Sequence, residues 1–73
     1  MNNSLDLHKV RHGDVPRVLD EFLGPHLMGK TSNVEIITGK SDRMKSVVAD
    51  TLKDYSLEYE EVWGNPGVVT VKL

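Results

Sequence analysis

Residues 34–41 read VEIITGKS, and the passage from strand to helix inside this stretch decides the fold. Val34, Ile36 and Ile37 are β-branched and apolar, so the spacing predicts a buried strand from about Val34 to Thr38. Gly39 breaks it. Ser41 or Asp42 then supplies an N-cap for a helix on which Met44, Val47, Val48, Leu52 and Tyr55 share a face.

Upstream, residues 4–10 read SLDLHKV, a short strand predicted over about Leu5 to His8. Its alternation places Leu5 and Leu7 on one face and Asp6 and His8 on the other. His12-Gly13-Asp14 punctuates the chain, and Asp14 with Pro16 opens a first helix carrying Val15, Val18, Leu19, Phe22, Leu23 and Leu27. Gly24-Pro25 is expected to end or kink that helix, and His26 to be solvated. Downstream, two strands are predicted, about Leu57–Trp63 and Val68–Leu73, with Gly64-Asn65-Pro66-Gly67 as the hairpin turn between them. Leu57, Tyr59 and Trp63 fall on one face, a pattern read as core or edge packing. The acidic run Glu58, Glu60 and Glu61 reads as a solvated face that repels nucleic acid.

The order is β-α-β-α-β-β. A helical crossover between the first two strands makes them parallel, and the last two are antiparallel. The expected architecture is an α/β two-layer sandwich, a four-stranded mixed sheet with both helices on one face. It is read as one domain over residues 1–73, with residues 1–4 a short tail. A chain this size buries only about 60 % of its unfolded surface.

There are no cysteines, so neither disulfides nor thiolate zinc sites are available. No run approaches the roughly 20 apolar residues that span a bilayer, and the N-terminus lacks the pattern of a signal peptide. The expectation is a cytoplasmic, monomeric protein with no membrane partner. The net charge of −2 is uneven: residues 1–45 hold seven Lys/Arg against six Asp/Glu, whereas residues 46–73 hold two against five. Lys9, Arg11, Lys40, Arg43 and Lys45 concentrate near the candidate motifs, a modest patch with weak, salt-sensitive affinity for phosphates.

Open α/β sheets bind ligands beyond the carboxyl ends of parallel strands. Asp6 and His8 lie at that end of the first strand, and Thr38-Gly39-Lys40-Ser41 at that end of the second. TGKS suits a phosphate, because Gly39 permits close approach, the helix start offers N–H groups and Lys40 adds charge. It is not a Walker A loop, since Glu35 stands where the upstream glycine is required. A plain strand-to-helix turn uses the same residues, and the local sequence does not separate the two readings. For Asp6 and His8 the choice lies between a carboxylate-oriented imidazole suited to proton transfer near neutrality and ordinary turn hydrogen bonding.

LDLH, then DEFL, then VEIITGK and a terminal GNPGVVTVKL resemble the small MutS-related (Smr) domain from Leu5 to Leu73. The two signatures, LDxH and TGxG, occur in order. The resemblance implies a fold like the C-terminal domain of bacterial translation initiation factor three. It also implies nucleic-acid binding and, in several members, endonuclease activity on DNA or RNA, including messenger RNA on ribosomes. Asp6 and His8 match the polar pair of LDxH, and Thr38, Gly39 and Lys40 match the first three positions of TGxG. Lys45 falls where the family often has a basic residue. Two positions depart from the pattern: Lys9 follows LDxH in place of Gly, and Ser41 replaces the last Gly of TGxG.

The expectation is therefore a stand-alone Smr-like domain that binds nucleic acid, with hydrolysis of a phosphodiester left open by the departures at Lys9 and Ser41. His8 would serve as acid or base, with Asp6 orienting it or holding Mg²⁺ or Mn²⁺. Lys9, Arg11, Thr38, Gly39, Lys40, Ser41, Arg43 and Lys45 would bind phosphate. The alternative is a non-catalytic adaptor docking on nucleic acid, a ribosome or another protein through the same edge. A small phosphate-ligand binder using TGKS alone is the third reading.

Overall fold

The computed structural model describes residues 3–73; residues 1 and 2 of the expected tail lie outside the described residues. The elements are β1 (Ser4–Asp6), α1 (Val15–Met28), β2 (Asn33–Ile37), α2 (Asp42–Asp54), β3 (Glu58–Val62) and β4 (Asn65–Lys72), with a 3₁₀ turn at His12–Asp14 before α1. They form one four-stranded sheet in the order β1-β2-β4-β3. β1 runs parallel to β2, and both β2–β4 and β3–β4 are antiparallel. The β-α-β-α-β-β order and the mixed sheet agree with the sequence reading.

The core lies on one face of this sheet. Val34 and Ile36 of β2 pair across with Val71 and Val69 of β4, and all four side chains are buried. They meet Val15, Leu19 and Leu23 of α1 and Met44, Val48 and Leu52 of α2, so both helices cover the same face. Glu35 and Thr70 pair on the opposite, uncovered face. Alternation in β2 thus determines which side is wet, and Asp6 follows the wet side because it lies beside Ile37.

Several local expectations change. β1 stops at Asp6, although Leu7 remains buried and donates its N–H to the Ile37 carbonyl at 2.9 Å. Ser4 belongs to β1 rather than to a tail. Asp14 occupies the N-cap position of α1 without a capping hydrogen bond from its side chain.

Pro25 does not end α1; it sits inside a helix that continues to Met28. Proline removes one helical hydrogen bond. Burial of Leu23 and His26 on either side of it favours continuing the helix against the core. His26 is accordingly 2 % exposed rather than solvated. Its Nδ1 is hydrogen-bonded to Thr31 Oγ1 at 3.0 Å and its ring tilts against Phe22. Tyr55 ends α2 partly exposed, and its hydroxyl donates to the Asp20 carboxylate on α1, which raises the phenol above its ordinary pKa.

The largest departure is the β3–β4 hairpin. Glu61 pairs with Val69, but the next residue, Val62, pairs with Asn65. Pro66, Gly67 and Val68 therefore bulge away from β3, and the turn itself consists of Trp63 and Gly64, the latter at φ +79°. Proline is tolerated at such a bulge because no ladder donor is required of it. Trp63, expected to pack with Leu57 and Tyr59, is instead 98 % exposed at the tip.

Candidate active site at the carboxyl edge of the parallel strands

Three segments meet at one edge of the sheet. Asp6 and His8 follow β1, Thr38 to Ser41 follow β2, and the bulged start of β4 lies antiparallel beside β2, where Ile37 pairs with Val68. The first two were expected to converge; the third was not.

The bulge and the TGK turn are bound to each other through a single carbonyl. Gly67 O accepts the Thr38 N–H at 2.8 Å and the Gly39 N–H at 3.1 Å. The Thr38 hydroxyl lies 2.9 Å from Gly39 O and 3.3 Å from Gly67 O. Thr38 is buried, so its side chain holds the turn together rather than reaching outward to a ligand. A Cβ on Gly67 would lie 3.4 Å from the Gly39 backbone, an ordinary van der Waals contact that shows how closely the two segments pack.

Gly39 has φ +70°, a left-handed conformation that costs other residues about 1–2 kcal/mol. Its exposed side carries the His8 ring: a Cβ there would lie 2.9 Å from His8 Nε2 and 3.1 Å from Cδ2. The other side of the ring is fixed by Asp6. Asp6 Oδ1 accepts both the His8 backbone N–H at 2.9 Å and His8 Nδ1 at 2.6 Å. An ionised carboxylate only accepts, so Nδ1 carries the proton and Nε2 of the neutral ring is left as the basic nitrogen. The Asp6 carboxyl is held below its usual pKa, first by the His8 backbone N–H, then by the side-chain hydrogen bond, with smaller contributions from the charges of His8 and Lys9. Both side chains remain open to solvent, His8 at 58 % and Asp6 at 62 %.

Beside this pair is a cleft of about 560 Å³ lined by His8, Ile37, Gly39, Lys40, Asn65, Gly67 and Val68. A smaller hollow of about 330 Å³ is lined by Asp6, His8 and Lys9. His8 therefore borders both hollows, one with Gly39 and Lys40 and the other with Asp6 and Lys9. Arg11 and Arg43 are exposed but line neither hollow. Lys45 is half-buried in α2. Ser41 Oγ accepts the Met44 N–H at 3.2 Å, the N-cap bond that starts α2. Asn65, Gly67, Ile37 and Val68 were not anticipated as site residues. The signal for Gly67 was a glycine after proline, read only as a turn.

For a metal ion the donors are sparse. Among the described residues no three His, Asp or Glu side chains converge on a metal position. Asp6 already spends Oδ1 on His8 and could offer Oδ2. The residues present do not build a metal cage, and the chemistry they carry on their own is proton transfer at His8 Nε2 beside a cation.

The Smr domain family model matches residues 5–73. The chain belongs to the Smr domain family. Among curated proteins none matches. Solved Smr structures share the fold. YdaL, a stand-alone small MutS-related protein from Escherichia coli, superposes with a TM-score of 0.87 at 24 % identity over 97 % of this chain. The chain spans 63 % of that protein's length. The human small-MutS related domain gives 0.73 at 22 % identity, covering 94 % of this chain and 98 % of that one. The SMR domain of NEDD4-binding protein 2 gives 0.71 at 26 % identity, covering 100 % and 86 %. In this Smr domain the LDxH and TGxG segments are thus in direct contact, through His8 and Gly39. Among the described residues no helix is long and apolar enough to cross a membrane.

Proposed function

We propose that this Smr domain binds nucleic acid at the β1–β2–β4 edge and cleaves a phosphodiester bond there. The observation that carries the reading is the His8 ring, oriented by Asp6, with Nε2 over Gly39 at a cleft that Lys40 lines. Nε2 takes a proton from the attacking oxygen as that oxygen bonds to phosphorus, and the imidazolium then formed is stabilised by the adjacent Asp6 carboxylate; the P–O bond to the leaving oxygen breaks, and that oxygen takes its proton from solvent. Lys40, helped by Lys9, neutralises the charge that develops on the phosphoryl oxygens. Arg11, Arg43 and Lys45 serve as outlying contacts that hold the backbone in place. A ribose hydroxyl as the attacking oxygen restricts cleavage to RNA, whereas water serves for DNA or RNA.

A non-catalytic adaptor is favoured by one feature, the Ser41 cap, which explains that residue as the start of α2 without any chemistry. The test is binding to labelled single-stranded RNA and to plasmid, with and without divalent ions. Affinity is expected to fall with a shallow salt slope worth about three or four phosphate contacts. The double variant Lys40→Glu/Arg43→Glu is expected to abolish binding while retaining the fold. Unchanged affinity in that variant would remove this edge from consideration. Binding without cleavage under every ion condition would establish the adaptor.

A further inference from the structure

Trp63 has no role in the site described above, yet it is the most exposed large apolar side chain among the described residues. A side chain of this size gains its stabilisation by burial, and an indole face left in water is more informative than an exposed leucine. Its position is not accidental to the fold. The register jump between Glu61 and Val62 moves it off the core face and onto the hairpin tip. Asn65, two residues away, lines the cleft, and the tip projects from the same sheet edge as His8 and Lys40.

We propose that Trp63 is a stacking platform for an unpaired base of a single-stranded nucleic acid whose backbone is held at Lys40 and Lys9. This rests on the binding edge proposed above and specifies its ligand. The charge distribution favours a base, not a phosphate, at the hairpin. Toward the tip, β3 carries the exposed Glu60 and Glu61, which repel a phosphodiester chain, while Glu58 lies at the far end of the strand opposite Lys72; Lys9 and Lys40 follow β1 and β2. A strand with its phosphates at Lys40 therefore turns its uncharged part toward the tip. Ile37 and Val68 give the intervening cleft an apolar floor. In a duplex the base faces are already stacked on each other, so only an unstacked base can cover the indole. Stacking is tolerant of sequence, because every base offers a π-face.

The chain contains a single tryptophan, so emission excited at the red edge, where tyrosine does not absorb, reports this side chain alone. Wild-type protein is titrated with fluorescein-labelled oligo(dT) and oligo(U) of about ten nucleotides, an abasic oligomer of equal length, and a blunt duplex. Anisotropy reads binding, and in parallel titrations with unlabelled strands tryptophan emission reads stacking. Both single strands are expected to quench Trp63, and whichever quenches more strongly distinguishes DNA from RNA. The abasic oligomer is expected to bind without quenching. Trp63→Ala, checked for folding by circular dichroism, is expected to weaken single-strand binding about fivefold to a hundredfold, and Trp63→Phe to restore most of it. Binding with unquenched emission and unaltered affinity in Trp63→Ala would overturn the platform and leave the cationic edge standing. No binding by any probe would overturn both. Emission that shifts with protein concentration alone, alongside a change in oligomeric state, would assign Trp63 to a second copy of the chain and reject the stacking role.

Discussion

The His8 ring rests on the α-carbon of Gly39, so close that a single methyl group there would lie 2.9 Å from Nε2. The two residues come from different strands, and each constrains the other. Gly39 supplies both the left-handed turn and the bare surface, while Asp6 prevents the ring from swinging away. The imidazole is thereby held in one orientation although more than half of it is exposed.

Gly39→Ala is expected to fail in two separable ways. The φ of +70° costs about 1–2 kcal/mol for a non-glycine residue, a fall in melting temperature of roughly 4–16 °C for a domain this size. The new methyl also displaces the ring, which is read as a shift of the His8 imidazole resonances. Gly67→Ala meets only 3.4 Å contacts and is expected to cost less. A Gly39→Ala protein with wild-type imidazole shifts would show that the ring is not seated there.

The order of elements, the parallel pair and the two-helix layer could be read from periodicity, because alternation in VEII and the helical spacing of the apolar residues are local signals. So was the union of Asp6, His8, Gly39 and Lys40, since strand direction alone carries both segments to one edge. The bulge was not legible. Whether GNPG forms a turn or a bulge depends on whether Gly67 O finds donors on β2, and those donors are 28 and 29 positions away in sequence. The same long-range bond decides the fate of Trp63. Likewise, Pro25 and His26 follow tertiary burial rather than local helix rules.

The Asp6 carboxyl is held below the ordinary carboxylate value, first by the His8 backbone N–H. A depressed folded pKa means that its contribution to stability is complete above the unfolded value and is lost as pH falls through the folded one. Because the leading cause is the His8 backbone N–H, His8→Ala removes only part of the depression. The Asp6 carboxyl in that variant is expected to titrate between the wild-type value and the ordinary one, as followed by its side-chain carbon shift. A full return to the ordinary value would mean that the backbone bond is absent.

Thr31→Val tests the burial of His26. It removes the hydrogen bond to Nδ1 while nearly preserving shape. Loss of a hydrogen bond to a buried group costs about 1–3 kcal/mol. Denaturant unfolding is expected to show a lower midpoint with an unchanged slope. A midpoint equal to wild type would indicate that the Thr31 hydroxyl is not what holds His26 in place.

The decisive prediction concerns Asp6 and His8 themselves. Their side chains are exposed at the carboxyl edge of the sheet, outside the core, so removing either leaves no cavity. Asp6→Asn and His8→Ala are therefore expected to keep the melting temperature within about 3 °C, in line with other surface substitutions. Cleavage is expected to fall about a hundredfold or more, the scale of a lost acid–base group, with nucleic-acid affinity changed far less. Asp6→Asn is the sharper variant. It retains an oxygen that can accept the Nδ1 proton but loses the charge that stabilises the imidazolium, so the rate should drop while the ring stays seated on Gly39. A structural role for the pair gives the opposite pattern: both variants melt early, and activity declines only in proportion to the folded fraction. Rate and melting temperature measured on the same two proteins separate these outcomes.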